Sequence, residues 1–437
     1  MNIYKELHKW IEPSLIAREL AKEWGEDGLI WLDGDGSELG QKITIAANPV
    51  KSFSCHGLPN TKNSKNPFHT LKKLPQGHWT GWLSYEAGAW IEANSCWKKN
   101  TMSILYMACH DPVFKFDLKS KDFWICSSEK AKISSTKKWL KKISRINKEE
   151  PIRRKIIAYD SWEWVTTEEE YIEGIQALKK HINNGDIFQA NLTRACFSKF
   201  PNSSPLEIFL QLRQSCPAPF SGLIVGSEDS RNEAILSASP ERFLKVWPNG
   251  RVETRPIKGT RPRSEDKIKD SFMAANLITS TKDRAENIMI VDLLRNDFGR
   301  VCIPGSIQVN QLVGLETYHN VHHLTSVING LLPRDSSWID LLQACWPGGS
   351  ITGAPKIRAC QRINELEPKP RGVYCGSIMH IDWDGTFDSN ILIRTLQRNK
   401  KELIANAGCG IVADSNPLSE VEELKWKLMP LLQSLEK

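Results

Sequence analysis

Short apolar segments alternate with glycine, asparagine and proline breaks along the first 120 or so residues. Examples are "GLIWLDGDG", "ITIAANP", "WTGWLSYEAGAW" and "SILYMACHDPVFKFD". Segments of this length between turn residues are typical of strands in a mainly antiparallel sheet.

Further along the chain the pattern includes helices. In "TEEEYIEGIQALKKHINNGD" the apolar residues Tyr171, Ile175, Leu178 and Ile182 follow helical spacing behind a Thr start and a Glu-rich first turn. "DRAENIMIVDLLRNDFG" is helical but apolar almost all round, which predicts a buried helix. "EAILSASPERFLKVW" and "LIANAGCGIVAD" are predicted strands. Because the elements do not alternate as regular βαβ units, the pattern favours an α+β fold over a doubly wound one.

Composition indicates a globular protein, with 40% hydrophobic and 25% charged residues. No apolar run approaches the length of a membrane span, and the N-terminus lacks the apolar region of a signal peptide. The eleven cysteines show no C-x-x-C spacing and the histidines no zinc-site spacing. We therefore predict a cytoplasmic protein with reduced cysteines, without a membrane association.

Charge is concentrated between Lys130 and Lys155, where eleven basic residues accompany two acidic ones in a chain of net charge +7. This segment has no aromatic stacking series and no nucleic-acid-binding motif, so a solvated helix or linker is favoured over a nucleic-acid site. We predict an N-terminal region over 1–125, a basic linker over 126–158 and a catalytic region over 159–437.

Several carboxylates fall where a cation would be needed. Glu286 and Asp292 lie on the helix that is predicted to be buried, where an unpaired charge is very costly. Ion pairs within that helix would compensate these two charges equally well. Glu420, Glu423 and Lys427 are spaced to share one helix face, which is more often simply solvated.

Two glycine-containing segments could bind an anion. Gly408 and Gly410 are predicted to flank a strand-to-loop turn with available backbone N–H groups. "CWPGGSITGAPKIRA", with Ser350 and Thr352, resembles a phosphate loop but lacks the Walker pattern, so it could bind any carboxylate.

Polar residues also interrupt apolar strands. His322 and His323 are adjacent on a predicted strand and should point to opposite faces, and one of them could be a satisfied core histidine. Tyr374 and Arg394 stand alone in apolar surroundings, and a buried arginine needs an anionic partner. Together these weak signals predict a pocket for a small dicarboxylate with glutamates suited to Mg²⁺.

The motifs "GDIFQANLT", "SASPERF", "RPIKGTRPR", "AENIMIVDLLRND", "VHHLTS", "PGGSITGAPKIRA", "YCGSI" and "GIVADSNPLSEVEELKWK" occur in this order between about Glu169 and Lys427. On these motifs the chain resembles the chorismate-utilising enzymes, with a looser match over the first 120 residues through "GWLSYEAG". The resemblance implies an α+β fold of two large, mainly antiparallel sheets packed orthogonally, with outer helices and the site between the sheets. It also implies that the N-terminal and C-terminal regions interlock.

The resemblance assigns roles to residues by motif. The Mg²⁺ carboxylates would be Glu286, Glu420 and Glu423. The family histidine would be His323. The groups that hold substrate carboxylates would be Tyr374, Arg394, the Gly408–Gly410 turn and Lys427, with Thr352 nearby.

Two positions indicate the branch of the family. Lys258 together with Gln189 resembles the branch that aminates chorismate at C4, in p-aminobenzoate and folate synthesis. Related anthranilate and isochorismate synthases usually have Ala at the first position, and the latter have Lys at the second. Anthranilate synthase component I is the alternative enzyme, and a binding protein without catalysis is a third possibility.

A nucleophile and a partner complete the prediction. We predict that Lys258 attacks ring carbon C2 of chorismate, and that Arg255 and Arg261 supply a positive field that disfavours its protonated form. The sequence has no G-x-C-x-G-x-Q elbow of a glutaminase, so ammonia is expected from a separate glutamine amidotransferase subunit.

Overall fold

Two antiparallel sheets and the helices that cover them make up the fold. The computed structural model describes residues 2–92, 96–143, 151, 156–199, 204–318, 321–400 and 402–436. The strands are β1 (Tyr4–His8), β2 (Ile30–Asp33), β3 (Lys42–Ala46), β4 (Lys51–Cys55), β5 (Trp79–Leu83), β6 (Leu105–Cys109), β7 (Val113–Asp117), β8 (Asp122–Ser127), β9 (Glu163–Trp164), β10 (Gln189–Lys199), β11 (Phe220–Val225), β12 (Glu233–Ser239), β13 (Arg242–Val246), β14 (Arg251–Thr254), β15 (Ile257–Pro262), β16 (Gln308–Thr317), β17 (Val321–Leu331), β18 (Gly353–Ala354), β19 (Ser377–Ile381), β20 (Phe387–Asn390), β21 (Thr395–Asn399) and β22 (Glu402–Ile411). The helices are α1 (Pro13–Trp24), α2 (Pro67–Leu71), α3 (Lys130–Ile143), α4 (Glu168–Asn183), α5 (Pro205–Ser215), α6 (Lys267–Thr279), α7 (Thr281–Gly299), α8 (Trp338–Cys345), α9 (Lys356–Leu366) and α10 (Pro417–Gln433).

Each sheet combines a block of strands from the first 127 residues with a block of later strands. The first sheet has twelve strands in the order β1-β8-β7-β3-β2-β11-β12-β21-β22-β10-β18, with β9 beside β10. The second has ten, in the order β15-β17-β14-β13-β20-β19-β5-β6-β4, with β16 beside β17. N-terminal β2 therefore pairs with β11, and β5 pairs with β19. The α+β class with two large antiparallel sheets is confirmed.

Three hydrophobic clusters lie in layers. One packs α1, α4, α5, α9 and α10 on the twelve-stranded sheet, and another packs α2, α7 and α8 on the ten-stranded sheet. The third joins the sheets, since Ile30 and Ile235 of the first sheet meet Trp82 and Ile378 of the second. The helices thus lie outside and the two sheets face each other.

The sequence pattern predicted α4 correctly. Thr167 is its N-cap and forms a capping box with Glu170, which satisfies two backbone N–H groups at the helix start. Tyr171, Ile175 and Leu178 are buried. In the predicted basic linker, Lys130–Ile143 form α3, and residues 144–150 and 152–155 lie outside the described residues.

The prediction of an all-round buried α7 is wrong. The helix buries one face, including Ile290 and Leu294, whereas Ile288 is 40% exposed. Asp292 lies on the exposed side and pairs with Arg295 at 2.9 Å. The alternative of an ion pair within the helix is therefore correct for Asp292. Among the described residues, none of the helices combines the length and apolar character needed for a membrane span.

Candidate active site

Lys258 lies on β15 at a β-bulge. Lys258 pairs with Leu324 of β17 and Thr260 with His323, so Gly259 is the extra residue. Gly259 has φ +79°, and a Cβ there would lie 2.9 Å from Asp283 Cβ, so glycine suits both the backbone and the packing. The bulge directs the two neighbouring side chains differently. Thr260 contacts His323, whereas Lys258 reaches the loop after α8.

The ammonium group of Lys258 contacts Ser350, which also contacts the carboxyl group of Glu241. Its Nζ donates to the Ser350 carbonyl oxygen at 3.2 Å. The Ser350 hydroxyl and the Ile257 N–H donate to the buried carboxyl of Glu241, which also feels the charge of Lys258. Burial raises the pKa of Glu241 to about 7. Ser350 thus contacts both Lys258 and Glu241, a carboxyl group with a pKa of about 7.

The expected positive field of Arg255 and Arg261 is not present. Arg255 pairs with Glu316 at 2.6 Å, and Arg261 pairs with Asp283 at 3.1 Å. Their charges are therefore compensated locally, whereas Glu241, Glu286 and Glu423 interact with the charge of Lys258.

Gln189 and Gly410 form the next part of the site. Gln189 begins β10 and is buried, and its Oε1 has no hydrogen-bond partner among the described residues. Gly410 lies within β22 opposite Asn191. A Cβ on Gly410 would lie 2.2 Å from Gln189 Nε2 and 3.6 Å from Lys258 Nζ. The absence of a side chain on β22 thus makes room for the Gln189 amide, which lies beside Lys258.

The predicted turn at Gly408 and Gly410 is a strand instead. Both glycines belong to β22 and pair with β10, with Gly408 opposite Thr193. The Gly408 carbonyl accepts a hydrogen bond from Lys427 Nζ at 3.0 Å. In the structure, Gly408 binds a lysine through its carbonyl oxygen, while Gly410 provides space.

His322 and His323 point to opposite sides of β17, as predicted. His322 is a satisfied histidine with contacts to Thr317 and Asp270. His323 contacts Thr260 Oγ1 through Nδ1 at 2.8 Å, and its buried Nε2 has no partner in the described part of the chain. Burial, and then the charge of Arg394, lower the pKa of His323 to about 3. Its imidazole is therefore neutral.

Arg394 has a strained backbone and an uncompensated charge. Its φ of +51° lies in the left-handed region, which non-glycine residues rarely adopt. Burial lowers the pKa of its guanidinium, and the described residues provide no ion pair to it. A guanidinium in this situation is suited to a carboxylate ligand.

Tyr374 and Thr352 are buried nearby. Burial raises the pKa of Tyr374 well above the usual value, and Cys375 and Cys409 are among its neighbours. Thr352 donates through Oγ1 to the Gly348 carbonyl at 2.9 Å, and its own carbonyl accepts from Asn191 N at 2.7 Å. Thr352 therefore ties the loop after α8 to β10.

Two of the three carboxylates that are predicted to bind metal, Glu420 and Glu423, lie close together. Ligand atoms of Glu420, Glu423 and Cys409 lie within 4.8 Å of one another. Glu286 is not part of this group, but its charge acts on Glu423 and Lys258. Burial opposes ionisation of Glu423, yet Lys427 at 2.8 Å and Lys282 hold its pKa below the usual value.

These groups fit Mg²⁺. Glu420 is 2% exposed, and its Oε2 has no hydrogen-bond partner within the described residues. Such a buried carboxylate oxygen is an available hard ligand, and Mg²⁺ takes one or two carboxylates and keeps several waters. Burial raises the pKa of Cys409 to about 12, so its thiol stays protonated and does not compete as a ligand.

The sequence analysis missed two residues of the site. Glu241 lies in the quoted motif "SASPERF", but the motif alone did not reveal its contact with Ser350. Lys282 precedes "AENIMIVDLLRND" and pairs with Glu420 at 3.3 Å. The signal for Lys282 was its position four residues before Glu286, on the same helix face.

The chain is similar to proteins of known function. The family model of the chorismate binding enzymes matches residues 29–433. Aminodeoxychorismate synthase component 1 of Escherichia coli is 44% identical over 276 residues, which are 63% of this chain and 60% of that protein. The alignment thus spans about three fifths of the length of this relative. An anthranilate synthase component I-like protein of Synechocystis is 34% identical over 387 residues, covering 87% of this chain and 76% of that protein.

Solved structures share the fold. Anthranilate synthase component I from Streptococcus pneumoniae superposes with a TM-score of 0.75 at 26% identity, covering 90% of this chain and 92% of that one. The menaquinone-specific isochorismate synthase of Escherichia coli has a TM-score of 0.75 at 15% identity, covering 100% and 94%, and it supports the fold alone. From the match over residues 29–433 and these relatives, the chain belongs to the chorismate-binding enzyme family.

Proposed function

We propose that this protein aminates chorismate at C4 in the presence of Mg²⁺ and produces 4-amino-4-deoxychorismate, a precursor of p-aminobenzoate and folate. The observation that carries the proposal is the arrangement of Lys258, Ser350 and Glu241, a potential nucleophile and a potential acid joined by one serine. The names of the relatives in Escherichia coli and Klebsiella aerogenes, aminodeoxychorismate synthase component 1, support the same reaction.

Chorismate carries two carboxylates, and the site has cations for them. Arg394 and Lys427 would bind carboxylates, with Tyr374 as an additional donor. Glu420 and Glu423, with Glu286 directly or through water, would hold Mg²⁺. When bound, the metal would neutralise the ring carboxylate and withdraw charge from the departing hydroxyl.

Lys258 would act as the nucleophile. After its ammonium group has lost a proton to solvent, the neutral amine attacks ring carbon C2. The two ring double bonds shift from C1=C2 and C5=C6 to C1=C6 and C4=C5, and the C4 hydroxyl leaves as water with a proton from Glu241. Ammonia then attacks C4, both double bonds shift back to C5=C6 and C1=C2, and the C2–N bond to Lys258 breaks with return of the electron pair to the lysine. Glu241 recovers its proton from solvent. The net change is replacement of the C4 hydroxyl by an amine and release of one water.

The other groups of the site would orient the substrate and exclude water. Neutral His323 presents an unpartnered Nε2 that could accept or donate one hydrogen bond, depending on its tautomer. The Gln189 amide lies against Gly410 beside Lys258. A glutamine at this position cannot act as a base toward water, which disfavours isochorismate formation.

Ammonia would come from a partner. The sequence carries no glutaminase elbow, and the "component 1" in the names of several relatives is consistent with a second component. We propose a separate glutamine amidotransferase subunit in the cytoplasm as that component.

One assay tests the proposal. The purified chain is incubated with chorismate, Mg²⁺ and ammonium above neutral pH, and the products are identified by mass spectrometry. We expect 4-amino-4-deoxychorismate with ammonium and no turnover with glutamine alone. Anthranilate as the product would support the alternative anthranilate synthase, and chorismate binding without turnover would support a non-catalytic binding protein. Efficient use of glutamine by the pure chain would refute the need for a partner.

A further inference from the structure

Lys282 forms an ion pair with one carboxylate of the proposed metal site. It lies in the first turn of α7, and its Nζ is 3.3 Å from Glu420 Oε1. The negative charges of Glu286 and Glu423 also act on it. A single ammonium group thus contacts one of the three carboxylates that are proposed to bind Mg²⁺ and interacts with the charges of the other two.

The local charges balance without a metal. Three carboxylates, Glu286, Glu420 and Glu423, are accompanied by the ammonium groups of Lys282 and Lys427 and by nearby Lys258. A divalent cation would add two positive charges beside these lysines. Because like charges in a partly desolvated site repel strongly, one ammonium group has to withdraw for the metal to bind well.

Lys282 is the lysine that can withdraw. Its side chain is 48% exposed, compared with 40% for that of Lys427. The ammonium group therefore reaches water by rotation of its own side chain. Lys427 is more firmly held, since its Nζ binds both Glu423 Oε1 at 2.8 Å and the Gly408 carbonyl at 3.0 Å.

Glu420 keeps its orientation when Lys282 leaves. Ser415 Oγ donates to Glu420 Oε1 at 2.7 Å, which fixes the carboxylate independently of the lysine. Glu420 Oε2 is buried without a partner in the described part of the chain. One oxygen is therefore anchored and the other is available.

We propose that Lys282 is an internal counter-ion that neutralises the carboxylates of the metal-free protein and is displaced from Glu420 when a divalent cation binds. This inference rests on the metal site of the proposed function. It makes Lys282 a positioning residue that sets the affinity of the site for metal and stabilises the empty cleft.

Direct metal binding tests the inference. Mn²⁺ is titrated into the protein without substrate, and free Mn²⁺ is followed by electron paramagnetic resonance for the wild type, Lys282→Met and Lys282→Arg. Lys425→Met is the matched control, because Lys425 is on α10 but pairs with Glu422 and Glu168 away from the site. We expect Lys282→Met to bind Mn²⁺ roughly tenfold more tightly, because one repelling charge is removed. Lys282→Arg and Lys425→Met should bind like the wild type.

Thermal unfolding gives a second readout. Without metal, Lys282→Met should melt below the wild type, because Glu420 loses its counter-ion. Saturating Mg²⁺ should raise its melting temperature more than that of the wild type, since tighter binding stabilises the folded state more.

The outcomes separate the two proposals. Mn²⁺ binding by the wild type together with equal or weaker binding by Lys282→Met would overturn the counter-ion role and leave the metal site intact. No Mn²⁺ binding by the wild type would overturn both. Should circular dichroism show that Lys282→Met is unfolded, Lys282→Gln replaces it in the same titration.

Discussion

A side chain on Gly410 would collide with Gln189, because its Cβ would lie only 2.2 Å from the Gln189 Nε2 atom. The amide of Gln189 therefore lies directly on the backbone of the neighbouring strand. Lys258 Nζ would lie 3.6 Å from the same Cβ. The Gln189 amide, next to the proposed nucleophile, thus occupies space that a side chain on β22 would fill.

The change Gly410→Ala tests this dependence. The methyl group has to displace the Gln189 amide, and a shift of about 1 Å near the chemistry can lower the rate on the order of 100-fold. We expect kcat/KM for chorismate and ammonium to fall by about this factor. Gly299→Ala is the control, because a Cβ on Gly299 meets nothing within 4 Å. A Gly410→Ala protein with the kinetics of the wild type would show that Gln189 and Lys258 need no such space.

Removal of Lys258 should change the product as well as the rate. In Lys258→Ala the C2 position is open to direct attack by ammonia, so we expect slow turnover and a shift toward the 2-amino isomer. Intact-mass analysis of the wild type, quenched without ammonia, should detect a covalent adduct on Lys258. Lys245→Ala, on β13, is the control. An unchanged rate and product for Lys258→Ala would refute the nucleophile.

The pKa of Glu241 predicts the pH profile. A general acid has to be protonated, and burial raises the pKa of Glu241 to about 7. As the pH rises through about 7, the acid is lost and kcat should decline, provided that the concentration of free ammonia is kept constant. Glu241→Gln should be slow and should lack this decline. A wild-type profile that is flat across about pH 6 to 8.5 would argue against the acid role.

Neutral replacements of the metal carboxylates should abolish turnover. Each of Glu286→Gln and Glu423→Gln removes one negative charge, which weakens the binding of a divalent cation. The folded state should persist, as circular dichroism can check. Glu422→Gln is the matched control on α10, because Glu422 is exposed and pairs with Lys425. Full activity in the presence of EDTA would rule out the metal requirement.

Glu233 predicts a pH dependence of stability outside the site. Burial raises its pKa from 4.5 to about 7, while Ser103 hydrogen-bonds to its carboxylate. The folded state thus holds the proton more strongly than the unfolded state. This stronger binding of the proton stabilises the folded state fully below the pKa that Glu233 has in the unfolded chain. The stabilisation is lost as the pH rises through about 7.

The variant Glu233→Gln isolates this contribution. The free energy of unfolding of Glu233→Gln minus that of the wild type should be larger at about pH 8 than at about pH 5. The increase should be at most about 3 kcal/mol. Urea denaturation at the two pH values measures it, with exposed Glu265→Gln as the control. The same difference from the wild type at both pH values would contradict the raised pKa.

Local signals in the sequence predicted the elements well. The capping box that begins α4 and the turn-bounded segments of the first 120 residues are encoded by neighbouring residues. The predicted burial of α7 failed, because apolar residues on several sides of a helix do not reveal which side receives a partner. Ile288 is an example, because it is apolar but lies on an exposed side of α7.

The site depended on contacts between distant segments. Lys258 was recognised from its motif, but the compensation of Arg255 by Glu316 joins residues 61 positions apart. Ser350, which links Lys258 to Glu241, is 92 positions from the lysine. Spacing along the chain cannot encode such pairs, so the electrostatic surroundings of Lys258 had to come from the structure.

The position of two late strands between two earlier ones has a consequence for synthesis of the protein. β21 and β22 lie between β12 and β10, in the interior of the twelve-stranded sheet. That sheet cannot be completed until residues 395–411 have left the ribosome. Nascent chains therefore expose unpaired strands for most of translation. Until then β12 and β10 present open edges, to which strands of other chains can pair. High contact order of this kind also predicts slow refolding.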